Sequence, residues 1–120
     1  MKKVVYISGP ITGVERYWEA FEAIEDDLSS LGYIPLSPSR LPQGMSNDQY
    51  MRICTAMIDS ADAVVFLPGW EHSKGARLEL QYCEYINKPR AFVHDWDAFL
   101  QRKNPREIIR GWLKHDLEGI

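Results

Sequence analysis

The sequence predicts an α/β fold, a flavodoxin-like three-layer sandwich whose parallel sheet of about four strands carries helices on both faces. Two short apolar runs, Lys3–Ser8 and Ala63–Leu67, lack polar alternation, which is typical of parallel strands covered on both sides. Each is followed by a glycine-containing loop and then by apolar residues at helical spacing. Alternating strands and helices need right-handed crossovers, and the strand order 2-1-3-4 is the simplest that provides them.

The first half of the chain supplies two of these strands. Helical spacing begins at Tyr17, and the apolar positions of this helix are Tyr17, Phe21, Ile24, Leu28 and Leu31. Gly32 is typical of the C′ position that ends a helix. The next run, Tyr33–Pro38, contains prolines that cannot donate to a ladder, so we expect a strand at the edge of the sheet.

The second half repeats the pattern. After a loop at Arg40–Met45, Ser46 and Gln49 form a capping-box sequence. The helix that they open is predicted to bury Tyr50, Cys54, Met57, Ile58 and Ala61. Later elements are the strand Ala63–Leu67, a loop at Pro68–Gly75, a helix at Gly75–Ile86, a strand at Arg90–Val93 and a last helix opened by Asn104–Glu107.

Composition limits the class of protein. The 120 residues, 45% hydrophobic and 26% charged, predict one soluble domain over residues 1–120. The net charge of −3 argues against binding a nucleic acid polymer, and the sequence lacks an apolar run long enough for a membrane. The basic start before Gly9 is too short for a signal peptide. Because Cys54 and Cys83 fall on apolar helix faces without ligand spacing, we expect reduced thiols in a cytoplasmic protein.

Glu79 is the most unusual residue of the pattern. At about 100° per residue, it shares an arc of its helix with the apolar residues Ala76, Leu80, Cys83 and Ile86. A carboxylate in such surroundings is costly unless it is paired or takes part in chemistry. We therefore expect either a nucleophile or base at the floor of a crevice, or an acid paired with a basic residue.

Two loops are predicted to border that crevice. In a sheet of this order, ligands bind beyond the carboxyl ends of strands 1 and 3, which here continue into Gly9–Gly13 and Pro68–Gly75. The first loop lets a ligand approach the backbone at a helix N-terminus, but it matches neither the dinucleotide fingerprint nor a P-loop. A plain strand-to-helix turn is the alternative.

Other candidates also have a structural alternative. Tyr6 is placed to hydrogen-bond to Glu79, or is a core tyrosine with a satisfied hydroxyl. Trp70 stacks on a flat ligand or covers its loop. Ser73, with Gly75, contacts a phosphate or sugar oxygen, or is only the N-cap of the helix. The histidines lack metal spacing, and we predict no metal and no cofactor.

The ordered combination of Tyr6–Gly13, the Ser46–Asp62 helix and Leu67–Glu79 resembles a phage and prophage family of the nucleoside 2-deoxyribosyltransferase-like superfamily. That superfamily includes hydrolases of 2′-deoxynucleoside 5′-monophosphates. The resemblance covers roughly residues 3 to 93. It implies a flavodoxin-like fold, a homodimer or higher homo-oligomer, and a small-molecule nucleoside or nucleotide as the partner.

The resemblance also implies roles for particular residues. Glu79 matches the nucleophile, and Tyr6 matches the tyrosine that orients it. The residues that match or surround the sugar- and phosphate-binding positions are Ser8, Gly9, Pro10, Ile11, Thr12, Gly13, Trp70, Ser73 and Gly75.

Three positions depart from the related hydrolases. Those have an arginine where Thr12 stands and a serine where Pro10 stands, so a phosphate contact is missing here. Many of the related proteins carry an aspartate where Cys54 stands. We expect its replacement by cysteine to impair protonation of the leaving group, unless Glu71 or Asp59 substitutes for it.

The expected function is N-glycosidic bond cleavage through a covalent glycosyl-glutamate, completed by water or by transfer to a second base. A catalytically impaired nucleotide-binding module is the first alternative, favoured by Cys54. A purely structural or host-interaction protein is the second.

Overall fold

The computed structural model describes residues 2–93, and within them it has the predicted α/β architecture. Four parallel strands form one sheet in the order β2-β1-β3-β4, as predicted. The elements are β1 (Val4–Ser8), α1 (Tyr17–Ser30), β2 (Ile34–Leu36), α2 (Asn47–Ser60), β3 (Ala63–Phe66), α3 (Lys74–Tyr85) and β4 (Arg90–Phe92). The helix predicted after Asn104 lies outside the described residues.

The strand register brings the ends of β1 and β3 level with each other. Val5 pairs with Ala63 and Ser8 with Phe66, so both strands stop at the same edge of the sheet. The short strand β2 lies at the sheet edge, as its proline predicts, and pairs with the start of β1. The loops that leave β1 and β3 therefore start side by side.

The alternation of side chains along β1 divides the core into two clusters. One cluster packs Val5 and Ile7 against α1, and its buried members are Val5, Ile7, Phe21, Ile24, Leu28, Ala63, Val65, Leu67, Ala91 and Val93. The other cluster packs Tyr6 against α2 and α3, and its buried members are Tyr6, Cys54, Ile58, Ala61, Val64, Phe66 and Cys83. Tyr6 thus faces the same side of the sheet as the helix that carries Glu79.

Local signals set the helix ends where the sequence predicted them. Gly32 has a φ of 89° just beyond the C-cap of α1, a conformation that glycine adopts without strain. The capping box of α2 is complete: Ser46 Oγ accepts from the Gln49 N–H at 3.2 Å, and Gln49 Oε1 accepts from the Ser46 N–H at 2.9 Å. α3 begins at Lys74, one residue before the predicted start, because Ser73 caps it.

Some features differ from the predicted pattern. A short 3₁₀ helix at Pro38–Arg40 begins at the last residue of the predicted strand Tyr33–Pro38, and the observed strand β2 already ends at Leu36. A second 3₁₀ helix, Trp70–His72, lies in a stretch that was predicted as loop. Ile86 follows the end of α3 and is 38% exposed, so it does not join the apolar face of that helix. Glu25 of α1 is buried and accepts a 3.0 Å hydrogen bond from Arg40 Nε. None of the described helices is long and apolar enough to span a membrane.

Candidate functional site

The candidate site lies at the carboxyl edge of β1 and β3. The Leu67 N–H donates to the Ser8 carbonyl at 2.8 Å, which extends the β1–β3 pairing to the last residue before the Pro68–Gly75 loop. Tyr6 and Ser8 alternate along β1, so their side chains emerge on the same face of the sheet. That face is the one covered by α2 and α3.

The two loops that leave these strands contact each other. A Cβ added to Gly9 would lie 2.9 Å from the Leu67 Cβ, closer than real Cβ atoms approach, so only glycine fits there without a shift. A Cβ added to Gly69 would lie 3.4 Å from Pro10 Cγ. The loops therefore lie side by side, as the strand order predicted.

α3 brings Glu79 back to this edge. The Ser73 side chain accepts from the Ala76 N–H at 3.2 Å, which fixes the start of the helix. Glu79 then falls in the second turn, on the same side as Ala76 and Cys83, and it is 7% exposed. The apolar surroundings predicted for Glu79 are confirmed for these two neighbours.

Hydroxyl groups satisfy the Glu79 carboxylate. Ser8 Oγ donates to Oε1 at 2.7 Å, and Tyr6 OH lies 3.2 Å from Oε1 and 3.0 Å from Oε2. The ion pairs found among residues 2–93 are Arg16–Glu19 and Arg40–Glu25. Within that range Glu79 therefore has hydrogen-bond donors but no basic partner, which disfavours the alternative of a structural ion pair.

Burial dominates the protonation behaviour of this cluster. Desolvation raises the pKa of Glu79, and hydrogen bonds from Ser8, Tyr6 and Cys54 lower it by less. Burial, followed by the nearby Glu79 charge, raises the pKa of Tyr6 well above its usual value. Burial raises the pKa of the Cys54 thiol to about 11. The phenol and thiol therefore keep their protons at neutral pH, and the phenol remains a donor to the carboxylate.

Tyr6 and Ser8 have clear roles in this geometry. Tyr6 is fully buried, so both predicted descriptions apply: it is a core tyrosine, and its hydroxyl is satisfied by Glu79. Ser8 was grouped with the substrate-binding candidates, yet it is also fully buried and its hydroxyl is directed at Glu79. The Ser8 hydroxyl therefore contacts the Glu79 carboxylate and is not exposed to solvent.

The Gly9–Gly13 loop lies further out. Gly9, Pro10 and Ile11 are half-buried, whereas Thr12 and Gly13 are exposed. Gly13 has a φ of 77°, a conformation that favours glycine. This loop forms the outer rim of the β1 side of the site.

On the β3 side, the candidate residues Ser73 and Trp70 both have structural roles. Ser73 acts as the N-cap of α3, although its O–H remains able to donate. Trp70 packs with the Phe66 ring at a centroid distance of 6.0 Å and with the Phe92 ring at 5.3 Å, so its ring lies against side chains of β3 and β4. Gly75 lies in the first turn of α3 with no atom within 4 Å of an added Cβ.

Two relationships were not predicted from the sequence. The thiol of Cys54 is near enough to Tyr6 and Glu79 to influence the pKa values of both. Asp59, considered as a substitute acid, accepts a 2.5 Å hydrogen bond from Tyr82 OH on an exposed surface of α2 and α3. The contact between Ser8 and Glu79 was not predicted either. The two-residue alternation along β1 could have indicated it, because this alternation places the Ser8 side chain on the same face of the sheet as that of Tyr6.

Fold and site together define an α/β protein with a buried, hydroxyl-bound glutamate at the switch point of its sheet. The chain belongs to the family described as Domain of unknown function (DUF4406), whose profile matches residues 3–91. A comparison with curated proteins finds no match.

Among solved structures, the chain is similar to a conserved protein from Enterococcus faecalis V583, with a TM-score of 0.59 and 13% sequence identity. The similarity covers 90% of this chain and 77% of that chain. At this identity, the similarity concerns the fold alone.

Proposed function

We propose that this protein cleaves the N-glycosidic bond of a nucleoside or its 5′-monophosphate, most simply the 2′-deoxy form, with Glu79 as the nucleophile. The reaction is a hydrolysis or a deoxyribosyl transfer through a covalent glycosyl-glutamate. The observation that carries the proposal is the Glu79 carboxylate, which is buried at the switch point and held by two hydroxyls, with no cationic partner among residues 2–93.

The hydrogen bonds distinguish the two carboxylate oxygens. Oε1 accepts from Ser8 at 2.7 Å and is also near Tyr6, whereas the closest donor to Oε2 is the Tyr6 hydroxyl at 3.0 Å. Because Oε2 has fewer donors, it keeps more of its lone-pair capacity. We assign Oε2 as the attacking atom and Ser8 as the group that holds Oε1 in place.

The chemistry suits a lone carboxylate. Breaking a deoxyribosyl C1′–N bond gives an oxocarbenium-like transition state, which lacks the electron-withdrawing 2′-hydroxyl. Oε2 forms a bond to C1′ as the base departs with the electron pair of the C1′–N bond, as in retaining glycosidases. Water or a second base then attacks C1′, and the ester bond electrons return to Glu79.

The two loops supply the binding groups in this proposal. The Gly9–Gly13 loop and the Ser73–Gly75 segment surround the sugar and any phosphate, as the family resemblance implies. Trp70 offers the part of its ring that Phe66 and Phe92 leave uncovered to a base. The proposal also includes a cytoplasmic location and a homodimer or larger homo-oligomer.

A nucleotide-binding module without efficient catalysis is the second candidate. Cys54 favours it, because a thiol whose pKa is about 11 replaces the carboxyl group that many relatives have at this place. Such a module would bind the same ligands in the same crevice without releasing a base.

Incubation with a panel of deoxynucleosides and their monophosphates, followed by chromatography, separates the candidates. The enzyme hypothesis predicts release of free base by the wild type and its loss in Glu79→Gln. Saturable binding without release supports the module, and the absence of both contradicts each hypothesis.

A further inference from the structure

The groups around Glu79 that carry a proton are unusual for a glycosidase. Retaining glycosidases place a second carboxyl group about 5 Å from the nucleophile to protonate the leaving group. In the described part of the chain, the side chains that influence the Glu79 pKa are Ser8, Tyr6 and Cys54, which are two hydroxyls and a thiol. Among residues 2–93, the candidate Asp59 is bound to Tyr82 instead.

These donors are poor general acids. A general acid works best when its pKa lies near the working pH. Burial raises the pKa of Cys54 to about 11 and that of Tyr6 well above its usual value. In addition, Tyr6 and Ser8 direct their protons at Glu79, so transfer to a departing base would break the bonds that hold the nucleophile.

We propose that the natural substrate is a glycoside whose base needs no proton from the enzyme in order to leave, namely a cationic, N-alkylated purine or pyridine. This inference rests on the proposed function and names the substrate class of that site. The Glu79 carboxylate, whose hydrogen-bond donors among residues 2–93 are the hydroxyls of Tyr6 and Ser8, carries it.

The reaction balances without a general acid. Oε2 of Glu79 forms a bond to C1′, and the C1′–N electron pair moves into the cationic ring, which departs as a neutral base. Water then forms a bond to C1′, the ester C1′–O pair returns to Glu79, and the surplus proton passes to solvent. Every atom and charge is accounted for by substrate, water and Glu79.

The electrostatics of the site agree with a cationic ligand. Glu79 has no basic partner among residues 2–93, and the chain has a net charge of −3. When ionised, the buried carboxylate attracts a cationic ring strongly, because little water screens it. That attraction also favours the ionised form of Glu79 that the attack requires.

Two substrates that differ by a single methyl group test the inference. N7-methyl-2′-deoxyguanosine 5′-monophosphate carries a cationic base, and 2′-deoxyguanosine 5′-monophosphate carries a neutral one. Base release by wild type is measured for both, and release in the presence of Glu79→Gln is subtracted as background. We expect kcat/KM to be roughly a hundredfold or more higher for the methylated substrate, the size of a missing general-acid contribution.

The pH profile gives an independent readout. With the methylated substrate, we expect kcat/KM to rise with pH as Glu79 ionises, up to the pH at which the methylated guanine itself loses its N1 proton and its positive charge, because catalysis then requires no protonated acid on the enzyme. Values within about tenfold for the two substrates, or a fall in kcat/KM at a pH below that ionisation of the methylated substrate, would overturn the inference while leaving the N-glycosidase function intact. Absence of Glu79-dependent release from either substrate contradicts the proposed function and the inference together.

Discussion

The Ser8 hydroxyl donates a 2.7 Å hydrogen bond to Oε1 of Glu79 across 71 positions of the sequence. This bond joins the last residue of β1 to the second turn of α3, and both residues are buried. The strand that ends at the sheet edge thereby fixes the orientation of the carboxylate on the opposing helix.

Ser8→Ala removes one donor from a buried carboxylate. Hydrogen bonds to charged groups contribute about 1.5–3 kcal/mol, so we expect the free energy of unfolding at pH 7 to fall by that order. Loss of the donor also raises the Glu79 pKa further, which an NMR titration of the Glu79 carboxyl carbon detects. Ser60→Ala is the matched control, because Ser60 Oγ donates only to the Ala56 carbonyl on an exposed helix face. Equal effects of both substitutions would contradict the positioning role of Ser8.

Glu79→Gln tests the sign of the linkage between pH and stability. Because burial raises the Glu79 pKa above 4.5, the folded protein holds this proton more tightly than the unfolded chain does. The contribution of Glu79 to stability is therefore greatest at pH values below 4.5 and declines as the pH rises through the pKa of the folded state. We expect Glu79→Gln to flatten this decline in denaturation curves measured from pH 4 to pH 8.

Glu84→Gln serves as the control for that series, since Glu84 lies on the exposed face of the same helix. It should reproduce the wild-type pH dependence. If the stability of Glu79→Gln varied with pH in parallel with that of wild type, the buried carboxylate would not be the source of the decline.

Gly9→Ala tests the contact between the two loops. The new Cβ would lie 2.9 Å from Leu67 Cβ and 3.0 Å from its Cδ1, and Leu67 is itself buried. Overpacking of this kind costs about 1–3 kcal/mol, measured by chemical denaturation. Gly75→Ala meets no atom within 4 Å and replaces a helical glycine, so we expect it to be neutral or stabilising by up to about 1 kcal/mol. A destabilisation by Gly75→Ala as large as that by Gly9→Ala would contradict this description.

Cys54→Asp introduces a carboxyl group beside Glu79. Two carboxyl groups in one buried site cannot both ionise readily, so the new group has a raised pKa and becomes a usable general acid. We expect a loss of stability of about 1–3 kcal/mol and a gain of roughly tenfold or more in release of an unmethylated purine. Cys54→Asn, similar in size but not acidic, should show no such gain. A gain with Asn as large as with Asp would show that the acid is irrelevant.

The fold was predictable because its signals are local and periodic. The apolar strands, the Gly32 terminus and the Ser46 capping box each depend on residues close in sequence, and the connections leave few strand orders. The position of Glu79 on the apolar arc of its helix follows from the same periodicity. These predictions are confirmed within residues 2–93.

Contacts between segments that are distant in the sequence were harder to predict. Glu25 follows Phe21 by four residues and precedes Leu28 by three, so its burial could have been read from the helical wheel. Its partner Arg40, however, lies in the 3₁₀ helix that follows β2. No periodicity in the sequence relates Arg40 to Glu25. The proximity of Cys54 to Tyr6 and Glu79 likewise depends on how α2 and α3 pack over the sheet.

The central claim is that Glu79 forms a covalent bond to the anomeric carbon of a sugar. Acid quenching of wild type during turnover of N7-methyl-2′-deoxyguanosine 5′-monophosphate, followed by peptide mass spectrometry, tests it directly. We expect a peptide spanning Glu79 whose mass is increased by one deoxyribosyl phosphate group, and no such increase in Glu79→Gln. An adduct on another residue while wild type releases free N7-methylguanine, or undiminished release by Glu79→Gln, would contradict covalent catalysis by Glu79.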